Sequence, residues 1–151
     1  MLITSHLAAT LVGVVGVRAH GWEVILALMG GVLVDMDHLF VNQKWRADIK
    51  DFVYSRTITR GVNQHSWLQE FLFGGIIGIL GGVAVHIFSP AIRWWILPMF
   101  LLLHIAMDAV MQCEHWPFIP FSRWSYKGWL KSGTLTEFLL SVVVLGVWSL
   151  W

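Results

Sequence analysis

The segment WLQEFLFGGIIGILGGVAVHIF, which runs from Trp67 to Phe88, decides the fold class of this chain. Its polar side chains are confined to Gln69, Glu70 and His86, and the rest is apolar or glycine. A helix of about 20 apolar residues crosses the hydrocarbon core of a bilayer. We therefore predict a membrane-spanning helix over this segment.

Four more apolar segments accompany it, at Leu2 to Val17, Trp22 to Phe40, Ala91 to Met111 and Thr134 to Leu150. The first and last are short for a full span, although Arg18 can extend the first one by reaching to the interface. No Lys or Arg precedes the first segment, so we expect no cleaved signal peptide there. We predict an all-α membrane protein, with one multi-pass domain over residues 1–151 and a bundle of about five transmembrane helices.

The composition supports this class of protein. Apolar residue types make up 57% of the 151 residues and charged types only 13%, whereas soluble domains average about 45–50% and about 25%. The mean hydropathy is +0.69, which excludes a disordered chain. The net charge of +1 gives no reason to expect a nucleic-acid partner, and the single cysteine excludes an internal disulfide.

Local motifs predict where the helices begin. Ser66 with Gln69 forms a capping box, which predicts a helix start just after His65. Thr134 with Glu137 forms a second capping box, which opens the last apolar segment.

Proline and glycine add two expectations. Pro98 lies inside the fourth segment, where we expect a kink. Three glycines share one face of the third segment, namely Gly74, Gly78 and Gly82. Such spacing lets two helix backbones approach closely in lipid, but glycine is also common in membrane helices, and the pattern fits both interpretations equally.

The basic residues predict the orientation. If the five segments alternate in direction, loops 41–65 and 112–133 lie on the side of the N-terminus and hold all Lys and Arg except Arg18 and Arg93. The positive-inside rule then places the N-terminus and both loops in the cytoplasm, so we expect a protein of the inner (plasma) membrane. Attraction to anionic membrane lipid accounts for these loops better than nucleic acid does, because Asp48 and Asp51 interrupt their charge.

On this topology, acidic and imidazole side chains collect near the cytoplasmic end, although they are scattered in sequence: His6, Asp35, Asp37, His38, His65, His104 and Asp108. His20 and His86 are expected at the opposite end, and His115 is expected at the interface. Ionisable residues in membrane segments are costly, so their presence indicates function.

Carboxylate and imidazole groups are common ligands of zinc and other divalent ions. His104 and Asp108 are four residues apart and share a helical face, as do Asp35 and His38 at a spacing of three. Asp37 reaches the same site only if the helix ends or unwinds there. We predict a divalent metal site at the cytoplasmic end, with zinc as the expected ion. The alternative is a structural role for these side chains, as helix caps or as internal hydrogen-bonded pairs.

The order of these residues resembles a family of small bacterial and archaeal inner-membrane proteins described as membrane-bound metal-dependent hydrolases. The resemblance runs from His6 to about Ser122 and rests on Thr4-Ser5-His6, Val34-Asp35-Met36-Asp37-His38, the stretch from Thr59 to Ser66 (TRGVNQHS), His104-Ile105-Ala106-Met107-Asp108 and Pro120-Phe121-Ser122. Thr59 stands where the family pattern has His, the gap from Arg60 to His65 is one residue longer, and Val34 replaces the usual Pro.

The family is distantly similar to zinc-dependent phospholipases C, which implies hydrolysis of a phosphoester, with a phospholipid as a candidate substrate. In that hypothesis Asp37 is the general base and Arg60 binds phosphate. A topology-setting charge is the other interpretation of Arg60. Two non-enzymatic alternatives stay open: the cluster transfers protons or metal, or it binds metal for structure.

Overall fold

The computed structural model describes residues 2–36, 70–112, 114–118, 121–131 and 133–149. The predicted site residues Asp37, His38, Arg60 and His65 lie outside these ranges, as do Thr59 and Pro120.

The described part of the chain is mostly helical, as predicted. Its α-helices are α1 (Ile3–Gly16), α2 (Trp22–Gly31), α3 (Phe71–Phe88), α4 (Ile96–Ala109) and α5 (Leu135–Trp148). A 3₁₀-helix, Leu33–Met36, follows α2. Two short strands that the sequence did not suggest, β1 (Glu114–His115) and β2 (Tyr126–Lys127), pair antiparallel after α4.

Helix α4 packs against both α2 and α3, while α1 packs against α2 and α5. The starts of α1 and α5 meet, since the backbone N–H of Leu2 donates to Glu137. The start of α3 meets the segment after α4, where the N–H of Leu72 donates to the carbonyl of Pro117. His6 near the start of α1 contacts Asp108 near the end of α4. We call this the site end of the bundle.

The apolar core lies between α1, α2 and α4. Val14, Ala27, Ile96 and Phe100 form it, and Phe100 is fully buried. These residues hold together the three helices that carry the candidate site.

An ion pair closes the opposite end of the bundle. Arg93, in the connection between α3 and α4, donates from Nε to a Glu23 oxygen at 2.8 Å and from a terminal nitrogen to the carbonyl of Val17. The hydrogen bond with Glu23 raises the pKa of Arg93 above its ordinary value. The exposed histidines His20 and His86 also lie at this end, as predicted.

The glycine face of α3 is a packing surface. Gly74, Gly78 and Gly82 are buried, and a Cβ on Gly82 would overlap the backbone carbonyl of Trp94. Small residues therefore let α3 approach the start of α4, which favours the close-packing interpretation of the stripe.

The described helix α3 begins at Phe71, where the backbone of Glu70 is extended and its buried carboxylate accepts from the N–H of Trp116. The capping box predicted at Ser66 and Gln69 lies outside the described residues. Pro98 lies in the first turn of α4, which begins at Ile96, so its missing N–H breaks no helical hydrogen bond and its position gives no reason for the predicted kink. The helix start predicted at Thr134 is confirmed, with its hydroxyl accepting from the N–H of Glu137. The Glu137 carboxylate accepts from the N–H of Gly133.

Of the described helices, α3 is long and apolar enough to cross a membrane, with 18 residues and a mean hydropathy of 2.2. The other described helices are apolar but have 10–17 residues. The second predicted span is interrupted, because α2 ends at Gly31 and the chain tightens into the 3₁₀-helix. Five membrane crossings stay a prediction.

Candidate metal centre

Four predicted ligands from separate parts of the chain come together at the site end. They are His6, Asp35, His104 and Asp108, and one ligand atom from each lies within 4.8 Å of the others. Such a set of two imidazoles and two carboxylates can hold a divalent metal ion.

Three structural elements position the four side chains. His6 lies near the start of α1, and Asp35 lies in the 3₁₀-helix after α2. His104 and Asp108 project from one face of α4, one turn apart, as their spacing predicted. The change from α-helix to 3₁₀-helix after Gly31 sets the position of Asp35.

Imidazoles and carboxylates alternate around the centre. Nε2 of His6 is 3.2 Å from Oδ1 of Asp108 and 3.6 Å from Oδ2 of Asp35. Nε2 of His104 is 3.2 Å from Oδ2 of Asp108 and 3.3 Å from Oδ1 of Asp35. Each carboxylate therefore faces both rings, and each ring presents the same nitrogen.

These separations suit a small divalent cation. Four ligands at ~2.0–2.1 Å from a tetrahedral zinc lie ~3.3–3.4 Å from one another. The imidazole-to-carboxylate distances of 3.2 to 3.6 Å bracket this value. One ligand atom of each residue, all within 4.8 Å of one another, could thus close around one ion after side-chain movement.

The tautomer of His104 also fits a ligand. Its Nδ1 lies 3.1 Å from the carbonyl oxygen of Gly31, and since a carbonyl only accepts, Nδ1 carries the proton. In the neutral ring Nε2 then offers a lone pair toward the two carboxylates. Nε2 is buried, and the carboxylate oxygens of Asp108 and Asp35 lie 3.2 and 3.3 Å from it. A backbone carbonyl that orients a histidine in this way is the usual outer partner of a metal ligand.

Burial makes the charge of this group important. His6, His104 and Asp108 are at most 2% exposed. Two carboxylates in such a place need compensating positive charge. Protonating both rings would place two like charges in stacked imidazoles whose centroids are 4.0 Å apart. A divalent cation compensates both carboxylates without that repulsion.

The centre is more open on one side. The side chain of Asp35 is 11% exposed, whereas those of His6 and His104 are fully buried. The chain continues from Asp35 directly toward Asp37 and His38, which lie outside the described residues. Asp35 is therefore the most exposed of the four side chains.

Sequence reasoning missed two contributors. The Gly31 carbonyl orients His104, and no residue type signals a backbone acceptor. Glu137 accepts from Leu2 N–H and from the hydroxyl of Ser5, next to His6. Glu137 stood out only as part of a capping box, which is a local motif and carries no information about α1.

His115 is not part of the four-residue group. It is 3% exposed and stacks on Tyr126 with ring centroids 5.2 Å apart. It is therefore a packed residue of the β1–β2 pair.

Comparison of the chain with models of protein families, with curated proteins and with solved structures gave no match. The functional argument therefore rests on the residues and on their geometry.

Proposed function

We propose that this protein is a membrane-embedded, metal-dependent hydrolase that acts on a phosphoester at the cytoplasmic membrane interface, with zinc as the resident ion. The observation that carries the proposal is the His6–Asp35–His104–Asp108 group, whose ligand atoms lie within 4.8 Å of one another. When bound, such an ion stabilises negative charge on a phosphoryl oxygen and supplies an activated water.

The protein's own residues have distinct roles in this proposal. His6, His104, Asp35 and Asp108 hold the ion, and the Gly31 carbonyl keeps His104 in the ligand tautomer. The remaining expected ligands, His38 and His65, lie outside the described residues. Asp37 accepts the proton of the attacking water, and Arg60 binds the phosphate with its planar guanidinium.

The apolar outer surface supports the membrane location. On α3, Ile79, Leu80, Ile87 and Phe88 are 47 to 90% exposed. On α5, Leu139, Leu140 and Val143 are 54 to 65% exposed. Contiguous apolar surface of this kind needs a covering, and lipid is the covering that the composition favours.

Metal analysis of purified protein tests the centre. We expect wild-type protein to retain a divalent ion, and we expect His104→Ala and Asp35→Ala to lose it. His86→Ala is the matched control, because His86 is an exposed histidine at the opposite end. Equal metal content in all four proteins would refute the site.

Turnover is tested next, on phospholipids and simple phosphoesters with and without a chelator. Hydrolysis that requires metal and is absent in His104→Ala would support the enzyme. Tight metal binding without turnover on any substrate would favour a metal-stabilised structural protein instead. The burial of three ligands favours this second function, since structural zinc sites are closed by four protein ligands.

A further inference from the structure

A cavity lies beside the metal group (His6, Asp35, His104 and Asp108), on the neighbouring face of α4. Its volume is about 220 Å³, and Ile105 and Ala109 form its α4 wall. Each of these residues directly follows a member of the metal group, His104 or Asp108. The cavity therefore spans the same two turns of α4, at the site end of the bundle.

Aromatic rings form most of the opposite wall. Phe118 and Trp124 have ring centroids 6.0 Å apart, and Trp124 and Tyr126 have centroids 5.7 Å apart. His115, which stacks on Tyr126, also lines the cavity. Phe71, from the first turn of α3, lines the cavity as well. We call this set the aromatic wall.

One carboxylate completes the lining. Glu70 is only 4% exposed, and one of its oxygens accepts from the backbone N–H of Trp116 at 3.0 Å. This hydrogen bond to the segment after β1 positions the side chain, and apart from His115 and Tyr126 the rest of the lining is apolar.

This combination selects one class of ligand. Aromatic faces attract a cation through the ring quadrupole, and cages of such rings recognise quaternary ammonium groups. The carboxylate supplies opposite charge, while the apolar walls suit methyl and methylene groups. A strongly hydrated inorganic ion would gain little from the rings. The volume is below the ~300–1,000 Å³ of pockets for larger ligands, which suits a small cationic group.

We propose that this cavity binds a substituted ammonium group, of the kind found in free choline and in the headgroup of a zwitterionic phospholipid. In its lipid form the proposal rests on the proposed function, because the cation would then belong to the phosphoester substrate. Binding of the ammonium group itself does not require the metal centre.

Calorimetric titration of the full-length protein in an uncharged detergent tests this binding. The probes are choline and its neutral carbon isostere, 3,3-dimethyl-1-butanol. We expect choline to bind at least about tenfold more tightly than the isostere, because only the charged group gains from the rings and the carboxylate. Equal affinity for the two probes, or binding of neither, would overturn the proposal.

Variants localise the effect. Trp124→Leu and Glu70→Gln should each weaken choline binding by about fivefold to tenfold. Gln at position 70 keeps an oxygen acceptor for the N–H of Trp116. Trp129→Leu is the matched control, since Trp129 is 75% exposed and does not line the cavity. Unchanged binding in both cavity variants would refute the location.

Two further arms separate this proposal from the metal centre and identify the source of the ligand. Choline binding that persists in His104→Ala would support an independent site even if no hydrolysis is found. Choline binding that disappears with the metal would overturn that independence. With phosphatidylcholine and phosphatidylglycerol nanodiscs, competition by the first lipid alone assigns a lipid headgroup, and competition by neither lipid assigns a free amine. Competition by both lipids would refute recognition of the ammonium group.

Discussion

Substitution of Gly31 by Ala tests how the helix packing holds the metal centre. Gly31 is the last residue of α2, and a Cβ there would overlap the hydroxyl oxygen of Thr10 on α1. The Cβ would also lie 3.1 Å from Cγ2 and 3.2 Å from Cβ of Thr10, where carbon atoms prefer about 3.5–4.0 Å. Thr10 is buried and has little room to rotate its hydroxyl away, so α1 and α2 must separate to relieve the overlap.

The magnitude follows from two opposing effects. Overpacking of a buried contact costs about 1–3 kcal/mol. Replacing Gly by Ala in a helix regains at most about 1 kcal/mol, and less at a helix end. We therefore expect a net loss of about 1–2 kcal/mol in the free energy of unfolding.

The metal centre should respond more strongly than stability does. The carbonyl of Gly31 accepts from Nδ1 of His104 at 3.1 Å, so a shift of this backbone turns the imidazole away from the carboxylates. Loss of such an outer partner lowers metal affinity by about 10–100-fold. We expect a zinc dissociation constant for Gly31→Ala that is higher by this factor.

Zinc titration of metal-free protein against a competing chromophoric chelator measures the affinity, and thermal unfolding in detergent measures stability. Gly16→Ala is the matched control, since a Cβ there meets nothing within 4 Å. Thr10→Ala combined with Gly31→Ala should recover most of the zinc affinity, because it removes the hydroxyl and the methyl group that clash. Wild-type affinity in Gly31→Ala, or no recovery in the double variant, would refute the reasoning.

Three further predictions concern the rest of the bundle. Glu137→Ala should destabilise the protein by about 1–3 kcal/mol and weaken zinc binding, because the Glu137 carboxylate accepts from Leu2 N–H and from the hydroxyl of Ser5. Glu137→Gln keeps an oxygen acceptor and should restore part of the stability and part of the zinc affinity. Unchanged zinc affinity in Glu137→Ala would contradict a role of Glu137 in supporting the metal centre. Arg93→Lys removes the paired hydrogen bonds to Glu23 and should lower the thermal midpoint of unfolding. The metal content should not change, because this ion pair lies at the opposite end of the bundle from the metal centre. Metal loss in this variant would show that the two ends of the bundle are coupled. Retained metal should fall as purified protein is dialysed from about pH 7.5 to about pH 5, since imidazole must be neutral to bind metal, and a flat profile would argue against histidine ligands.

Local patterns were enough to predict the helical class and part of the site. The apolar segments predicted the helical regions, because a run of apolar residues of this length is typical of a membrane-spanning helix. The spacing of His104 and Asp108 predicted their shared face, because helix geometry fixes it. The helix start at Thr134 was predicted correctly for the same reason, because its hydroxyl and the N–H of Glu137 lie in one turn.

Other features could not be predicted locally. The start of α3 depends on Glu70, whose partner Trp116 is distant in sequence. The role of Pro98 depended on where α4 begins, which packing against α2 and α3 determines. The 3₁₀-helix that carries Asp35 comes at the end of an apolar run, and no residue pattern there distinguishes a 3₁₀-helix from an α-helix.

The sequence alone determined that this chain is apolar, helical and equipped with imidazole and carboxylate side chains near the ends of its helices. Only the tertiary structure decided that His6, Asp35, His104 and Asp108 face one another at 3.2 to 3.6 Å, and that Gly31 and Glu137 support them. The physical reason is the range of the forces. Helix periodicity acts over a few residues, whereas the distances between helices depend on close contacts between side chains far apart in the sequence.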